Sequence, residues 1–369
     1  MNDLLGLLSR ALAARASQIT GSATASDLEP IAGSATASHQ NRDLIAGSCT
    51  ASGEHNTALR LFNGFLEGDP DLAIDLYGRT VVFHNYADDP ASAAAAAEKV
   101  QQAWQFLLGE LPWLQAALVK TRSAPDPAAR RGVRLADPTG QLDSKVCEDG
   151  AWYALDLTMH QDASLYLDTR WLRRWLKSNL AGKSVFNAFA YTGSLGVAAL
   201  AGGADRMVEL DLNRRFLNLA RESYTLNRFS IREQDFIAGD FFSEVNRFKR
   251  RGELFDCVLL DPPFFAVTGK GRVDLVSQSQ RLINKIRPLV KDGGRMVAIN
   301  NALFLSGKDY YALLQDLCAD GYLTIEELIP VPPDFTGYPD TMVGAPPVDP
   351  APFNHSTKIA VLGVKRKKG

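Results

Sequence analysis

The stretch Ser184–Ala201, SVFNAFAYTGSLGVAALA, joins two apolar runs through a turn that contains Gly193 and Gly196. The first run is rich in Val and Phe and predicts a buried strand, whereas the second predicts a helix. Glycine lets the backbone approach a ligand closely, and the first turn of a helix offers free N–H groups. The stretch therefore predicts a strand, a ligand-binding turn and a helix.

The same alternation of strand and helix continues along the chain. RMVELD (206–211), FDCVLLD (255–261) and GRMVAIN (294–300) predict strands, and RRFLNLARESYTLN (214–227) and LVSQSQRLINKIRPLV (275–290) predict helices. This pattern predicts an α/β, Rossmann-like fold with a doubly wound, mostly parallel sheet. Ligands of such sheets bind outside the carboxyl ends of the strands. The predicted strands end in polar residues there, namely Asn187, Asp211, Asp261 and Asn300.

The glycine turn favours a nucleoside-type ligand other than NAD, because its G-x-x-G spacing lacks the third glycine of the dinucleotide fingerprint. Asp211 can accept hydrogen bonds from ribose hydroxyls, and an equally open interpretation makes it the N-cap of the following helix. Asp240, in IAGDFF, ends another predicted strand and can accept from an adenine amino group. Together these residues predict a cofactor site.

The motif that follows the third strand, DPPFF, predicts a site for a flat acceptor. Asp261 precedes Pro262, so its backbone is held extended at the strand end. The two prolines remove backbone donors and leave carbonyl groups free, and Phe264 or Phe265 can stack on a planar substrate. A rigid turn that merely caps the sheet is the structural alternative.

Three stretches carry a resemblance to a known family: LYLDTRWLRRWL (165–176), VFNAFAYTGSLG (185–196) and LLDPPFF (259–265). The chain resembles the class I S-adenosylmethionine-dependent methyltransferases, and within them the bacterial 23S ribosomal RNA large-subunit group with its K/L-like and I-like members. The resemblance implies S-adenosyl-L-methionine as cofactor. It also implies that Asp168 and Arg170 approach the methionine end of that cofactor, with Tyr166 at a position where an aromatic residue is usual. Arg170 can pair with the cofactor carboxylate, or it can form a surface ion pair with Asp168.

The expected site combines these residues. The cofactor-binding candidates are Tyr166, Asp168, Arg170, Asn187, Phe189, Tyr191, Thr192, Gly193, Asp211, Leu212, Asp240, Phe241 and Asp261. The catalytic candidates are Asp261, Pro262, Phe264, Phe265 and Asn300.

The position of the cysteines bears on which atom would be methylated. Relatives that methylate cytosine C5 carry a cysteine after the strand that here ends in Asn300 and Asn301. Paired asparagines resemble instead the relatives that methylate guanine at N7, and methylation of an exocyclic amine is the competing hypothesis. Cys257 and Cys318 fall inside a predicted strand and a predicted helix, where they indicate core positions.

Ribosomal RNA or another nucleobase-containing molecule is therefore the expected partner. The alternatives are methylation of a small molecule or a protein side chain, and a cofactor-binding module without catalysis. An intact Asp261-Pro-Pro-Phe264 speaks against the last of these.

The length of 369 residues predicts two domains, and an N-terminal segment precedes them. We expect a helix followed by a flexible repeat of ITGSATAS type in 1–56, a small α+β domain in 57–165 and the methyltransferase domain in 166–369. A net charge of -2 disfavours a protein that coats nucleic acid non-specifically. The four widely spaced cysteines indicate neither a disulfide framework nor a zinc site and favour a cytoplasmic setting. No membrane span is predicted, and the oligomeric state stays open.

Overall fold

The computed structural model describes residues 3–20, 55–87, 90–135, 140–268 and 271–366, and of residues 90, 91, 93, 94, 265–268 and 271–277 it describes the backbone alone. Two compact units emerge from the contacts. The first contains the described residues up to Leu167 together with Pro332–Ala345, and the second contains Asp168–Val331 and the described residues from Pro346 onward. The repeat of residues 19–52 lies almost wholly outside the described residues, and the domain boundaries given above stay a prediction.

The first unit is an α+β structure around a five-stranded sheet in the order β1-β2-β3-β4-β5. Its strands are β1 (Ala58–Asn63), β2 (Leu72–Tyr77), β3 (Thr80–Asn85), β4 (Ala116–Thr121) and β5 (Val133–Arg134), with a separate hairpin of β6 (Lys145–Glu148) and β7 (Ala151–Ala154). Its helices are α1 (Leu4–Ala14), α2 (Ala16–Ile19), α3 (Gly64–Glu67), α4 (Pro90–Glu110), α5 (Pro127–Arg131) and α12 (Pro333–Thr336). Strands β3 and β4 are parallel because the long helix α4 connects them, whereas the other neighbours are antiparallel.

The N-terminal helix is part of this core. Leu4, Leu8 and Leu12 recur at a spacing of four residues, which places them on one helical face, and all three are buried against the sheet. At the end of this helix the buried Arg15 forms an ion pair of 3.0 Å with Glu67. The hydroxyl of Thr341 donates to the same carboxylate at 2.5 Å, which attaches the late segment Pro332–Ala345 to the first unit.

The second unit contains a seven-stranded sheet in the order β10-β9-β8-β11-β14-β16-β15. Its strands are β8 (Ser184–Ala188), β9 (Arg206–Asp211), β10 (Phe236–Ala238), β11 (Phe255–Leu260), β14 (Val290–Asn300), β15 (Leu323–Ile329) and β16 (Lys358–Val364), with a hairpin of β12 (Phe265–Thr268) and β13 (Gly271–Asp274). Its helices are α6 (Arg170–Asn179), α7 (Ser194–Ala201), α8 (Arg214–Leu226), α9 (Phe241–Arg251), α10 (Leu275–Ile286) and α11 (Gly307–Cys318), with 3-10 turns at Glu233–Asp235 and Arg287–Leu289. The first five strands are mutually parallel, and β16 runs antiparallel to both β14 and β15.

The predicted α/β, Rossmann-like fold is confirmed. The central strands β8 and β11 are almost fully buried, as their continuous apolar sequences predict for strands covered on both faces. Helices α7 and α8 lie in the two connections between β8 and β10, because parallel neighbouring strands need long crossover connections.

The described residues also bear on membrane spans, metal sites and the pairing of cysteines. Within the described ranges, no helix is long and apolar enough to cross a membrane, and no group of His, Cys, Asp or Glu could hold a metal ion. Cys257 and Cys318 are the free cysteines of the described residues. Cys147 is disulfide-bonded, a pairing that the wide spacing of the cysteines did not indicate.

Candidate active site

The parallel strands of the second unit bring the predicted polar residues to one edge of the sheet. Asn187 and Ala188 pair with Leu259 and Leu260 of β11 on one side and with Glu209 and Leu210 of β9 on the other. The backbone N–H of Asp261 donates to the carbonyl oxygen of Ala188 at 3.4 Å. The ends of β8, β9 and β11 are therefore directly adjacent, as the topology of the sequence implies.

The turn after β8 is held in an unusual backbone conformation. Phe189 and Tyr191 have φ values of 63° and 51°, in the left-handed region that residues with side chains rarely adopt. Two contacts hold them there: the Phe189 ring stacks on Phe241 with centroids 4.7 Å apart, and the Tyr191 N–H donates to the Asp211 carboxylate at 2.8 Å. Thr192 is buried at the apex of the same turn. Strain of this kind is concentrated at ligand-binding sites.

A buried carboxyl group that the sequence analysis did not single out lies beneath this turn. Glu209, in the middle of β9, is fully buried and accepts hydrogen bonds from the Asn187 amide and the Tyr224 hydroxyl, both at 2.9 Å. Burial raises the pKa of Glu209 to about 8, so the group is largely neutral at pH 7. Its signal in the sequence is a charged residue inside an otherwise apolar strand.

Close packing, against Glu209 at one glycine and against Ala220 at the other, explains why both glycines of the turn are needed. A Cβ atom on Gly196 would lie 1.8 Å from the Glu209 carboxylate oxygen, and one on Gly193 would lie 2.6 Å from the Cβ of Ala220. Gly193 also has a φ of +70°, which favours glycine. The sequence predicted that the glycines allow close approach of a ligand, and the structure gives them an internal packing reason as well.

Asp211 and Asp240 have different local roles. Each oxygen of the half-buried Asp211 carboxylate accepts one backbone N–H, from Tyr191 and from Asn213, both at 2.8 Å, and burial raises its pKa. The N-cap of α8 is Asn213, so the alternative that made Asp211 the cap is wrong. Asp240 does cap a helix, because its carboxylate accepts from the N–H of Ser243 at the start of α9.

Asp261 combines partial burial with a neighbouring like charge. Burial, followed by the negative charge of Asp168, raises the pKa of Asp261 to about 7. Pro262 is buried behind it, and the Phe264 side chain is 49% exposed. Phe265 begins β12, where the structure describes its backbone alone. A carboxyl group that ionises near neutral pH is thus followed in the chain, three residues later, by an exposed aromatic ring.

The L-D-x-R segment is divided between the two units. In the second unit, Asp168 accepts a hydrogen bond of 2.7 Å from the Thr357 hydroxyl, and Arg170 is the first residue of α6. In the first unit, Tyr166 is 41% exposed and its hydroxyl donates to Asp162 at 3.2 Å. Thr357 was not predicted as part of the site.

Asn300 has internal partners for both ends of its amide. It is fully buried, its amide nitrogen donates to the Ser279 hydroxyl at 3.0 Å, and its oxygen accepts from the Ala302 N–H at 2.9 Å. The buried Lys358 holds the same loop by donating to the carbonyl oxygen of Ala302 at 3.0 Å. These bonds give Asn300 a structural role, and its catalytic role stays a prediction.

The loop that Asn300 and Lys358 hold exposes apolar side chains that were not predicted to be part of the site. Leu303 is 44% exposed and Phe304 is 74% exposed. They follow β14, the neighbour of β11, and therefore lie at the same edge of the sheet as Phe264. Leu212, after β9, is likewise 66% exposed. This edge is consequently more apolar than an ordinary solvated rim.

The free cysteines of the second unit are unsuited to nucleophilic catalysis. Cys257 is fully buried in β11, and burial raises the pKa of its thiol to about 12. Burial also raises the pKa of Cys318, the last residue of α11. A thiolate is the reactive form, so neither group is activated for attack.

Comparison with known proteins identifies relatives. Residues 115–344, more than half of the chain, match the family described as S-adenosylmethionine-dependent methyltransferase. Ribosomal RNA large subunit methyltransferase I of Aeromonas salmonicida is 30% identical over 268 residues, which cover 72% of this chain and 65% of that protein. Ribosomal RNA large subunit methyltransferase K/L of Colwellia psychrerythraea is 28% identical over 256 residues, covering 66% of this chain and 34% of that protein. The chain thus spans just under two thirds of the length of its type I relative.

Solved structures agree on the fold. A methyltransferase crystallised in complex with SAH superimposes with a TM-score of 0.71 and 23% identity, covering 84% of this chain and 76% of that chain. A SAM-dependent methyltransferase from Streptococcus mutans gives a TM-score of 0.70 and 22% identity, covering 85% and 77%. At these identities the likeness establishes the α/β architecture.

The residues of this edge fit the cofactor of such enzymes. The side-chain oxygen of Asn187 is buried and has no hydrogen-bond partner among the described residues, so it is an acceptor that a bound amino group can satisfy. The Asp211 carboxylate uses part of its acceptor capacity for the backbone N–H groups of Tyr191, Leu212 and Asn213, and its remaining capacity can accept from ribose hydroxyls. Both positions lie beside the strained turn at the carboxyl ends of β8 and β9.

Proposed function

Because the chain belongs to the family of S-adenosylmethionine-dependent methyltransferases, we propose that it transfers a methyl group to a base of ribosomal RNA. The family match and the resemblance to type I and type K/L ribosomal RNA large subunit methyltransferases support the reaction and the substrate class. A ribosomal RNA substrate also supports a cytoplasmic location. The cofactor supplies, when bound, a methyl group that its sulfonium has already activated.

We propose that the second unit binds the cofactor along the ends of β8, β9 and β10. Asn187 offers its unpaired oxygen, and Asp211 and Asp240 offer carboxylate oxygens as acceptors. The exposed Leu212 can cover one face of an adenine ring. Asp168 and Arg170, at the N-terminus of α6, are assigned to the methionine end because the resemblance of the L-D-x-R segment implies it.

Asp261 carries the proposal for the acceptor. The single observation behind it is a carboxyl group at the end of β11 whose pKa is raised to about 7 by burial and then by Asp168. An ionised Asp261 accepts a hydrogen bond from an N–H of the acceptor base, which orients the attacking nitrogen and contributes through alignment rather than covalent chemistry. Phe264, half-exposed beside it, can stack on the same base.

Nitrogen methylation is favoured over cytosine C5. Carbon C5 of a pyrimidine requires a thiolate nucleophile, and burial holds the thiol of Cys257 protonated. Guanine N7 needs no deprotonation, and an exocyclic amine can lose its proton to Asp261 or to water after transfer. The methylated atom is therefore guanine N7 or the nitrogen of an exocyclic amine.

The test is methyl transfer by the purified full chain. Large-subunit ribosomal RNA from cells without the gene is incubated with radiolabelled cofactor, and mass spectrometry of the nucleosides identifies the product. We expect a methylated guanine or amine, loss of product with Asp261→Ala, and retained product with Cys257→Ala. Methylated cytosine C5 would refute the assignment of the atom. Label in a small molecule or a protein, with none in RNA, would establish one of the alternative substrates instead.

A further inference from the structure

An exposed cluster of aromatic and arginine side chains lies in the first unit. The Tyr86 ring, just after β3, is at its centre. The Phe65 ring meets it edge-on with centroids 4.9 Å apart, and the Arg122 guanidinium lies 5.5 Å from the Tyr86 centroid. Phe65 is 49% exposed, and Tyr86 and Arg122 are half-buried. We call Phe65, Tyr86 and Arg122 the Tyr86 cluster.

The Tyr86 cluster is held rigidly from below. The backbone N–H of Tyr86 donates to the carbonyl oxygen of Asp71 at 2.8 Å, which fixes the chain where it leaves the sheet. Arg122 forms an ion pair of 2.6 Å with Asp162, which keeps its guanidinium beside the Tyr86 ring. Groups that are already ordered lose little entropy when they bind a ligand.

The composition of the Tyr86 cluster points to a flat ligand. Because Asp162 neutralises the charge of Arg122, the cluster offers little net attraction for a phosphate. Aromatic rings and a guanidinium plane are the groups on which unstacked bases of RNA are held. An unstacked nucleobase is therefore a better match than a phosphate or a lipid headgroup.

A hydrogen-bond acceptor without a partner lies next to the cluster. His84 Nε2 is 3.0 Å from the Asp75 carboxylate, and its ring centroid is 6.3 Å from that of Tyr86. Burial lowers the pKa of His84, so the ring is neutral and Nε2 carries the proton that Asp75 accepts. The Nδ1 atom is then an acceptor, and it is buried without a partner among the described residues. Because this atom is shielded from solvent, stacking on the exposed rings, and not a bond to His84, is the interaction that the cluster offers.

We propose that the Tyr86 cluster binds an unstacked base of the RNA substrate by stacking. This inference rests on the proposed function, because it assumes an RNA ligand. It adds a second recognition site, in the first unit, to the acceptor position at Asp261.

The experiment compares two RNAs by fluorescence anisotropy with the full chain. One is a fluorescein-labelled single-stranded RNA of mixed sequence, and the other is the same strand with abasic positions. We expect the wild-type protein to prefer the RNA that carries bases. Phe65→Ala and Tyr86→Ala should weaken its binding on the order of 5-fold to 150-fold, the effect of losing one stacked base, and should leave the abasic RNA unaffected.

Three further variants complete the design. Tyr86→Phe keeps the ring and should bind like the wild type. Leu5→Ala removes an apolar side chain of α1 that is 44% exposed and should change nothing. Arg122→Gln removes the guanidinium and leaves both rings of the cluster in place. Its RNA affinity, which should be lowered, tests the site independently if Tyr86→Ala lowers the melting temperature.

The outcomes separate this site from the proposed function. Equal affinity of the wild type for both RNAs, or unchanged affinity in Phe65→Ala and Arg122→Gln, would overturn the stacking site while methyl transfer stands. Base-dependent binding that the ring variants abolish, in a protein that methylates no RNA, would support the site and contradict the proposed function. Cofactor affinity, measured by calorimetry, should be the same in all variants.

Discussion

At the scale of single residues, the ionisation of Asp261 should set the pH dependence of methyl transfer. Its pKa is raised to about 7, first by burial and then by Asp168, so the carboxylate that accepts from the base forms only as pH rises through that value. We expect kcat/KM of the wild type to increase across this range. Asp261→Ala should lower kcat by about 100-fold, the typical effect of a misaligned acceptor, and should abolish this rise.

Cofactor affinity distinguishes this role from a structural one. Calorimetry should give Asp261→Ala a cofactor affinity close to that of the wild type, since the lost interaction is made with the acceptor. A variant that keeps the pH profile of the wild type would show that another group titrates. Asp168→Asn, which removes the neighbouring charge, should shift the profile to lower pH.

A second prediction at this scale concerns Glu209 and stability. Its folded pKa of about 8 is above the ordinary value of 4.5, so its neutral form stabilises the fold. This contribution is fully present below pH 4.5 and is lost as pH rises through 8, at up to about 1.4 kcal/mol per pH unit. Glu209→Gln, which resembles the neutral acid, should remove this loss.

Chemical denaturation at several pH values measures the difference. The free energy of unfolding of the wild type, relative to Glu209→Gln, should fall between pH 5 and pH 8. Below pH 5, Glu209→Ala should be destabilised by about 1–3 kcal/mol relative to the wild type, because Asn187 and Tyr224 lose their buried acceptor, and this difference should shrink as pH rises. Parallel curves for the wild type and the Gln variant would contradict a neutral Glu209.

At the scale of elements, the turn between β8 and α7 depends on the absence of a side chain at Gly196. A Cβ there would lie 1.8 Å from the Glu209 oxygen, so the buried Glu209 carboxyl group would have to shift away from its partners Asn187 and Tyr224. Gly196→Ala should therefore destabilise the protein by about 1–3 kcal/mol. Gly109→Ala is the matched control, because its Cβ would meet nothing within 4 Å in α4 and should be neutral or stabilising. Thermal melting of both variants tests the pair, and equal melting temperatures would contradict the packing explanation.

Elements with continuous patterns were predictable from the sequence. The apolar runs of β8, β9, β11 and β14 and the helices between them follow directly from periodicity, since each is decided by local residues. The position of β16 between β14 and β15 was not predictable, because strand order depends on pairing between segments far apart in the chain. The same reason applies to Pro332–Ala345, whose place in the first unit depends on Arg15 and Glu67, hundreds of residues earlier.

The candidate site was predictable in position more than in detail. Strand ends follow from the alternation of elements, so Asn187, Asp211 and Asp261 could be assigned to one edge. The Glu209 network and the Thr357 bond to Asp168 could not, because they connect side chains whose partners are set by tertiary packing. Asn213 had the correct residue type for an N-cap, and its position after Asp211 was the available signal.

At the scale of the whole molecule, cofactor binding should stabilise one of the two compact units. Asn187, Asp211, Asp240 and Asp261 all belong to the second unit, so a ligand that binds them favours its folded form. SAH at 100 times its Kd should add about 2.7 kcal/mol to the free energy of unfolding, provided that it does not bind the unfolded chain. For a unit of this size, that corresponds to a rise in melting temperature of roughly 5–10 °C. Scanning calorimetry with and without SAH measures the shift, with NAD as the control ligand that should produce none.

Asp211→Ala should reduce the shift at the same SAH concentration, because hydrogen bonds to a charged group contribute about 1.5–3 kcal/mol and their loss raises Kd. A full shift in Asp211→Ala, or an equal shift with NAD, would mean that the cofactor is held elsewhere than at the carboxyl ends of β8 and β9.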